Sequence, residues 1–175
     1  MDRGELATRL KEAAYLEGDF ILRSGRRSNY YFDKYLFETR PDLLRDVARE
    51  LADMLPADVD RLAGAALGGV PLAAAVALQT GLPYVIVRKE SKEYGTEQRL
   101  EGLLEDGDRV ALVEDVVTTG GAALSAAQAL LDAGAAEVLA FVVLDRQEGG
   151  EKAFREAGVP FRALFTSRSM GLKGD

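Results

Sequence analysis

Residues 110–123, VALVEDVVTTGGAA, set two adjacent carboxylates, Glu114 and Asp115, just ahead of Thr118, Thr119, Gly120 and Gly121. The four apolar residues 110–113 read as a buried strand, so the acidic pair arrives at that strand's carboxyl end. Neighbouring carboxylates in a half-buried position repel each other and lose hydration, so something must offset them. The hydroxyls of a sugar, or a hard divalent cation such as Mg²⁺, would each do so. The threonine-glycine turn then opens a helix near Ala122, where free amides and the helix dipole favour an anion and the threonine hydroxyls add donors. One ligand answers both halves: a ribose with a phosphate on its 5-carbon, its diol on the carboxylates and its phosphate in the turn. The plainer alternative is an ordinary strand, turn and helix with solvated surface charges.

Composition limits the chemistry available. The chain has 175 residues, 47% hydrophobic and 29% charged, enough for one full core and too few for two independent domains. With no histidine and no cysteine, there is no Ser-His-Asp triad, no His- or Cys-ligated metal, no thiolate and no imidazole to move protons near pH 7. Carboxylates, Lys, Arg, Tyr, backbone amides or a hard metal must carry any reaction. A net charge of -7 argues against a nucleic-acid or membrane-surface partner, and no apolar run is long enough for a signal peptide or membrane span. The expected location is the cytoplasm.

Apolar runs alternate with helical periods along the chain. Residues 2–16 read as a helix with Leu6, Leu10 and Ala13 on one face, stopped by Gly18. Two β-like pieces follow, 19–25 and 28–37, then a helix from Pro41 to about Met54 with Leu44, Val47, Ala48 and Leu51 as its stripe. Strands are expected at 61–67, 83–89, 109–117, 137–145 and 160–165, with helices between them. Near-continuous apolar strands separated by helices indicate an α/β fold with a parallel sheet covered on both faces, and such sheets bind ligands beyond the strands' carboxyl ends.

The 110–122 signature resembles the 5-phosphoribosyl-1-diphosphate (PRPP) motif of the type I phosphoribosyltransferases. Within that family, residues 87–102, VRKESKEYGTEQRLEG, resemble the mobile catalytic loop of orotate phosphoribosyltransferases, with Arg88, Lys89 and Lys92 as cations and Tyr94 where that family often has histidine. Residues 20–34, FILRSGRRSNYYFDK, resemble its amino-terminal segment, which places Arg23 and the Tyr31-Phe32 pair at the base. Arg146, in LDRQEGG, resembles the arginine that grips the orotate ring. Residues 66–74, ALGGVPLAA, resemble the diphosphate loop, although one branch of the family carries lysine where Gly68 stands.

The resemblance implies one phosphoribosyltransferase domain over 1–175, with a small hood and base-binding segment at about 1–40 and a core at about 41–165. It implies orotate phosphoribosyl transfer from PRPP, giving orotidine 5'-monophosphate and diphosphate in pyrimidine biosynthesis. Lys92, Arg88, Glu114 and Asp115 would be catalytic. PRPP would be held by Arg88, Lys89, Lys92, Tyr94, Glu114, Asp115, Val116, Val117, Thr118, Thr119, Gly120, Gly121 and Ala122, and orotate by Arg23, Tyr31, Phe32, Thr118 and Arg146. Mg²⁺ would be carried by PRPP with no direct protein ligand, and a homodimer would let the 88–102 loop reach the neighbouring site. Two alternatives stay open: a purine phosphoribosyltransferase and a non-catalytic PRPP-binding regulator.

Overall fold

The computed structural model describes residues 2–21, 25, 27–90 and 99–172. Helix α1 (Arg3–Ala14) is capped by the Asp2 carboxylate, which accepts from the Glu5 amide at 2.8 Å. It ends before Gly18, because residues 15–21 pair with a second strand instead of continuing the helical period. That antiparallel pair, β1 (Tyr15–Ile21) and β2 (Arg27–Phe32), forms a separate two-stranded sheet, and Gly18 sits where its register shifts.

The second β-like piece also ends early. The Asp33 carboxylate accepts from the Tyr35 amide at 3.1 Å, an Asx turn that breaks the strand and starts the short helix α2 (Tyr35–Glu38). Helix α3 (Pro41–Met54) has Pro41 in its first turn and buries Leu43, Val47, Ala48 and Leu51. Leu43 takes the place expected for Leu44, which is only partly buried.

The main sheet has six strands in the order β5-β4-β3-β6-β7-β8, comprising β3 (Arg61–Ala65), β4 (Tyr84–Val87), β5 (Leu100–Glu101), β6 (Arg109–Val117), β7 (Glu137–Asp145) and β8 (Phe161–Thr166). All neighbours are parallel except the short edge strand β5, which the sequence reading did not include. Helices α4 (Gly69–Thr80), α5 (Gly121–Asp132) and α6 (Gly150–Glu156) make the crossovers. Two apolar layers cover the faces. Leu139 and Phe141 of β7 join Leu6, Leu43 and Leu72 on one side, while Val138, Ala140 and Val142 join Ala127, Leu130 and Phe154 on the other. From β3 the chain steps outward to β4, and from β6 it steps the opposite way to β7, so the sheet reverses direction between β3 and β6. A crevice opens at the carboxyl ends of strands at such a point. No helix among the described residues is long and apolar enough to cross a membrane.

Candidate active site

A cleft of about 630 Å³ lies there, lined from the ends of β3, β4 and β6, from the hood, and from the residues after β7. Strand β6 delivers the acidic pair almost fully buried, Glu114 at 8% and Asp115 at 2% exposure. The offset such a pair needs comes first from the chain itself. Lys34 Nζ lies 2.7 Å from Asp115 Oδ2, brought in by the Asx turn ahead of α2. One helical turn later, Glu38 is buried with neither carboxylate oxygen reached by a donor. Burial, then the charge of Asp115, pushes Glu38 up to about 8; the same two causes in the same order push Glu114 up to about 8. The site therefore holds one carboxylate paired with lysine, flanked by two carboxyls whose hold on the proton is raised. Neither Lys34 nor Glu38 was selected in the sequence reading, since only the α2 turn brings them to β6.

The threonine-glycine turn leads into a helix, as expected. Thr118 and Thr119 are exposed to the cleft and Ala122 lines it. Gly120 caps α5 at φ +88°, a left-handed conformation that favours glycine, and Gly121 starts the helix. Val116 lines the cleft, whereas the Val117 side chain packs in the core with Ala123 and Phe154. The Val117 carbonyl accepts from the Arg146 amide at 2.9 Å, so Val117 positions the opposite wall instead of contributing a side chain.

That wall carries the residues expected at a base. Tyr31 is 41% exposed and Phe32 buried, yet both line the cleft. Arg146 is held by Tyr30, whose hydroxyl accepts from Nη2 at 2.5 Å, and by Glu148 at 3.3 Å, while its Nε is buried without an acceptor. The Tyr30 partnership was missed because the alternation of β2, with Ser28, Tyr30 and Phe32 inward, shows only once the strand's bounds are known. Arg23 lies outside the described residues.

Arg88 and Lys89 line the cleft from the end of β4, with Arg88 lying 3.4 Å from Glu101 of β5. Lys92 and Tyr94 fall outside the described residues. At the 66–69 turn a Cβ on Gly68 would stand 1.6 Å from Asp115 Oδ2, so no side chain fits there in this arrangement. Among the described residues no three acidic side chains converge as metal ligands, and Asp115 is already committed to Lys34.

Residues 38–155 match the family model of a phosphoribosyl transferase domain. Over 167 residues the chain is 50% identical to an orotate phosphoribosyltransferase of Halobacterium salinarum, with 95% of each chain covered. The chain belongs to the orotate phosphoribosyltransferase family. Among solved structures, the chain is similar to the orotate phosphoribosyltransferase of Mycobacterium tuberculosis H37Rv in complex with Fe(III) dicitrate, with a TM-score of 0.85, 32% identity and coverage of 98% of this chain and 100% of the other. The same mycobacterial enzyme in complex with PRPP gives a TM-score of 0.79 and 31% identity, with coverage of 98% and 100%. The orotate phosphoribosyltransferase fold is thus the type I phosphoribosyltransferase α/β fold, and the chain is a pentosyltransferase.

Proposed function

We propose that the chain transfers the 5-phosphoribosyl group of PRPP to orotate, giving orotidine 5'-monophosphate and diphosphate in pyrimidine biosynthesis. The observation that carries this reading is the pairing, within one cleft, of the β6 acid pair and threonine-glycine turn with the buried, acceptor-seeking Nε of Arg146. The turn at 118–122 takes the 5'-phosphate on α5's free amides, and Glu114 and Asp115 take the ribose diol. Glu114, whose hold on its proton burial raises, donates to one ribose oxygen while Asp115 accepts from a hydroxyl, so the two carboxyls fix the ring together.

Loss of diphosphate from C1 builds oxocarbenium character on the ribose, so the main need is positioning and charge stabilisation. Arg88, Lys89 and Lys92 neutralise the leaving group, and Tyr94 adds a hydrogen-bonding hydroxyl. Arg146, with Arg23, Thr118 and the Tyr31-Phe32 pair, orients orotate, since a guanidinium fork suits a carbonyl-rich, anionic pyrimidine. When bound with PRPP, Mg²⁺ would supply further neutralisation of the diphosphate charge. The enzyme acts in the cytoplasm as a homodimer in which the 88–102 loop serves the neighbouring site.

A purine acceptor would have no use for a buried guanidinium aimed at an anionic ring, and a non-catalytic regulator no use for the cations at 88–92. An assay with PRPP and Mg²⁺ comparing orotate, adenine and hypoxanthine tests the reading. Turnover is expected with orotate alone; turnover with a purine, or with no base, would overturn it.

A further inference from the structure

The 66–69 turn faces the cleft beside the acid pair, and α4 begins at its end with first-turn amides that have no partner within the helix. Those amides favour an anion, but the turn brings no cationic side chain, and Gly68 has no room for one against Asp115 Oδ2. The Lys34 ammonium stands on that same oxygen at 2.7 Å, reaching it from the hood side. Its side chain is 31% exposed and lines the cleft. An ammonium has three donors, and Asp115 occupies one.

We propose that Lys34 is a substrate-binding residue that directs its remaining donors at the PRPP diphosphate where it meets the 66–69 turn. The assignment rests on the reading of the cleft as a PRPP site. The Lys34 side chain then supplies the positive charge that the turn lacks, while its ion pair with Asp115 holds it beside the turn. The other groups facing it are Glu38, the Tyr35 ring at 5.4 Å and Glu114. Burial raises the hold of both acids on their protons, which reduces the negative charge beside the ammonium.

The alternative is that Lys34 merely anchors Asp115, and the two roles separate by ligand. Calorimetry on the whole chain measures binding of diphosphate with Mg²⁺ and of ribose 5-phosphate with Mg²⁺, for wild type, Lys34→Met and Lys34→Arg. Lys34→Met should weaken diphosphate about tenfold while ribose 5-phosphate stays within about twofold, since a charge-assisted hydrogen bond is lost only with the former. Lys34→Arg should restore most of the loss, and KM for PRPP should follow the diphosphate values while KM for orotate holds. A diphosphate loss below about fivefold, or an equal loss for ribose 5-phosphate, overturns the proposal. If Lys34→Met does not fold, Lys34→Gln carries the same comparison. A wild-type chain that binds diphosphate but never turns over PRPP with orotate would sink the functional reading and leave the Lys34 comparison standing.

Discussion

Arg146 and Tyr30 lie 116 positions apart in the chain, and the guanidinium Nη2 donates to the Tyr30 hydroxyl at 2.5 Å with the ring centroid 4.8 Å from the guanidinium carbon. The contact locks a buried arginine between hood and sheet, leaving Nε directed away from any protein acceptor.

Replacing Arg146 with lysine keeps a charge but loses the planar fork. KM for orotate should rise about tenfold or more, with PRPP binding nearly unchanged. Tyr30→Phe removes one hydrogen bond behind the arginine and should cost about fivefold in kcat/KM for orotate. Initial rates with each substrate varied in turn check both, and an Arg146→Lys enzyme with a normal orotate KM would remove this residue from the base site.

Glu38 and Glu114 keep their protons up to about 8 in the fold, whereas the ordinary value is 4.5. Their folded pKa is raised, so their contribution to stability is full below about pH 4.5 and is lost as pH climbs through about 8. Glu114→Gln, a neutral isostere, should therefore gain stability relative to wild type as pH rises across that window. Thermal melts at stepped pH measure the difference in Tm, and a gap that narrows with rising pH would contradict the assignment.

Gly68→Ala would drive a Cβ onto Asp115 Oδ2 and disturb its pairing with Lys34. The expected cost is about 1–3 kcal/mol of stability from overpacking, with a raised KM for PRPP. Denaturant melts and PRPP kinetics on one preparation test both effects.

At the opposite end of the sheet, Arg61 Nε lies 2.5 Å from Asp108 Oδ2, both residues buried. Arg61→Ala leaves Asp108 buried without its guanidinium and should cost about 3–5 kcal/mol. Because the pair is remote from the cleft, KM values measured well below the melting temperature should stay at wild-type levels. A shift in KM larger than the error would show that the two ends of β3 and β6 are coupled.

Much of this protein is local in its sequence. The strands at 109–117 and 137–145 have the expected bounds because mostly apolar segments buried on both faces have no other stable place to go. The phosphate turn is equally local: Gly120 meets a backbone need at its own position, and the helix that follows supplies the amides. Absence of histidine and cysteine, read directly from the composition, confined the chemistry to charge and positioning.

Partnerships across the fold were decided only by tertiary structure. A lysine at 34 and a glutamate at 38 look like solvated charges until an Asx turn folds them over β6, where one pairs with Asp115 and burial raises the other's hold on its proton. Tyr30 looks like one aromatic among three until strand pairing turns it inward onto Arg146. Periodicity reports which face of an element is apolar, whereas the protonation and partners of a buried polar group depend on what distant segments bring within a few ångströms of it.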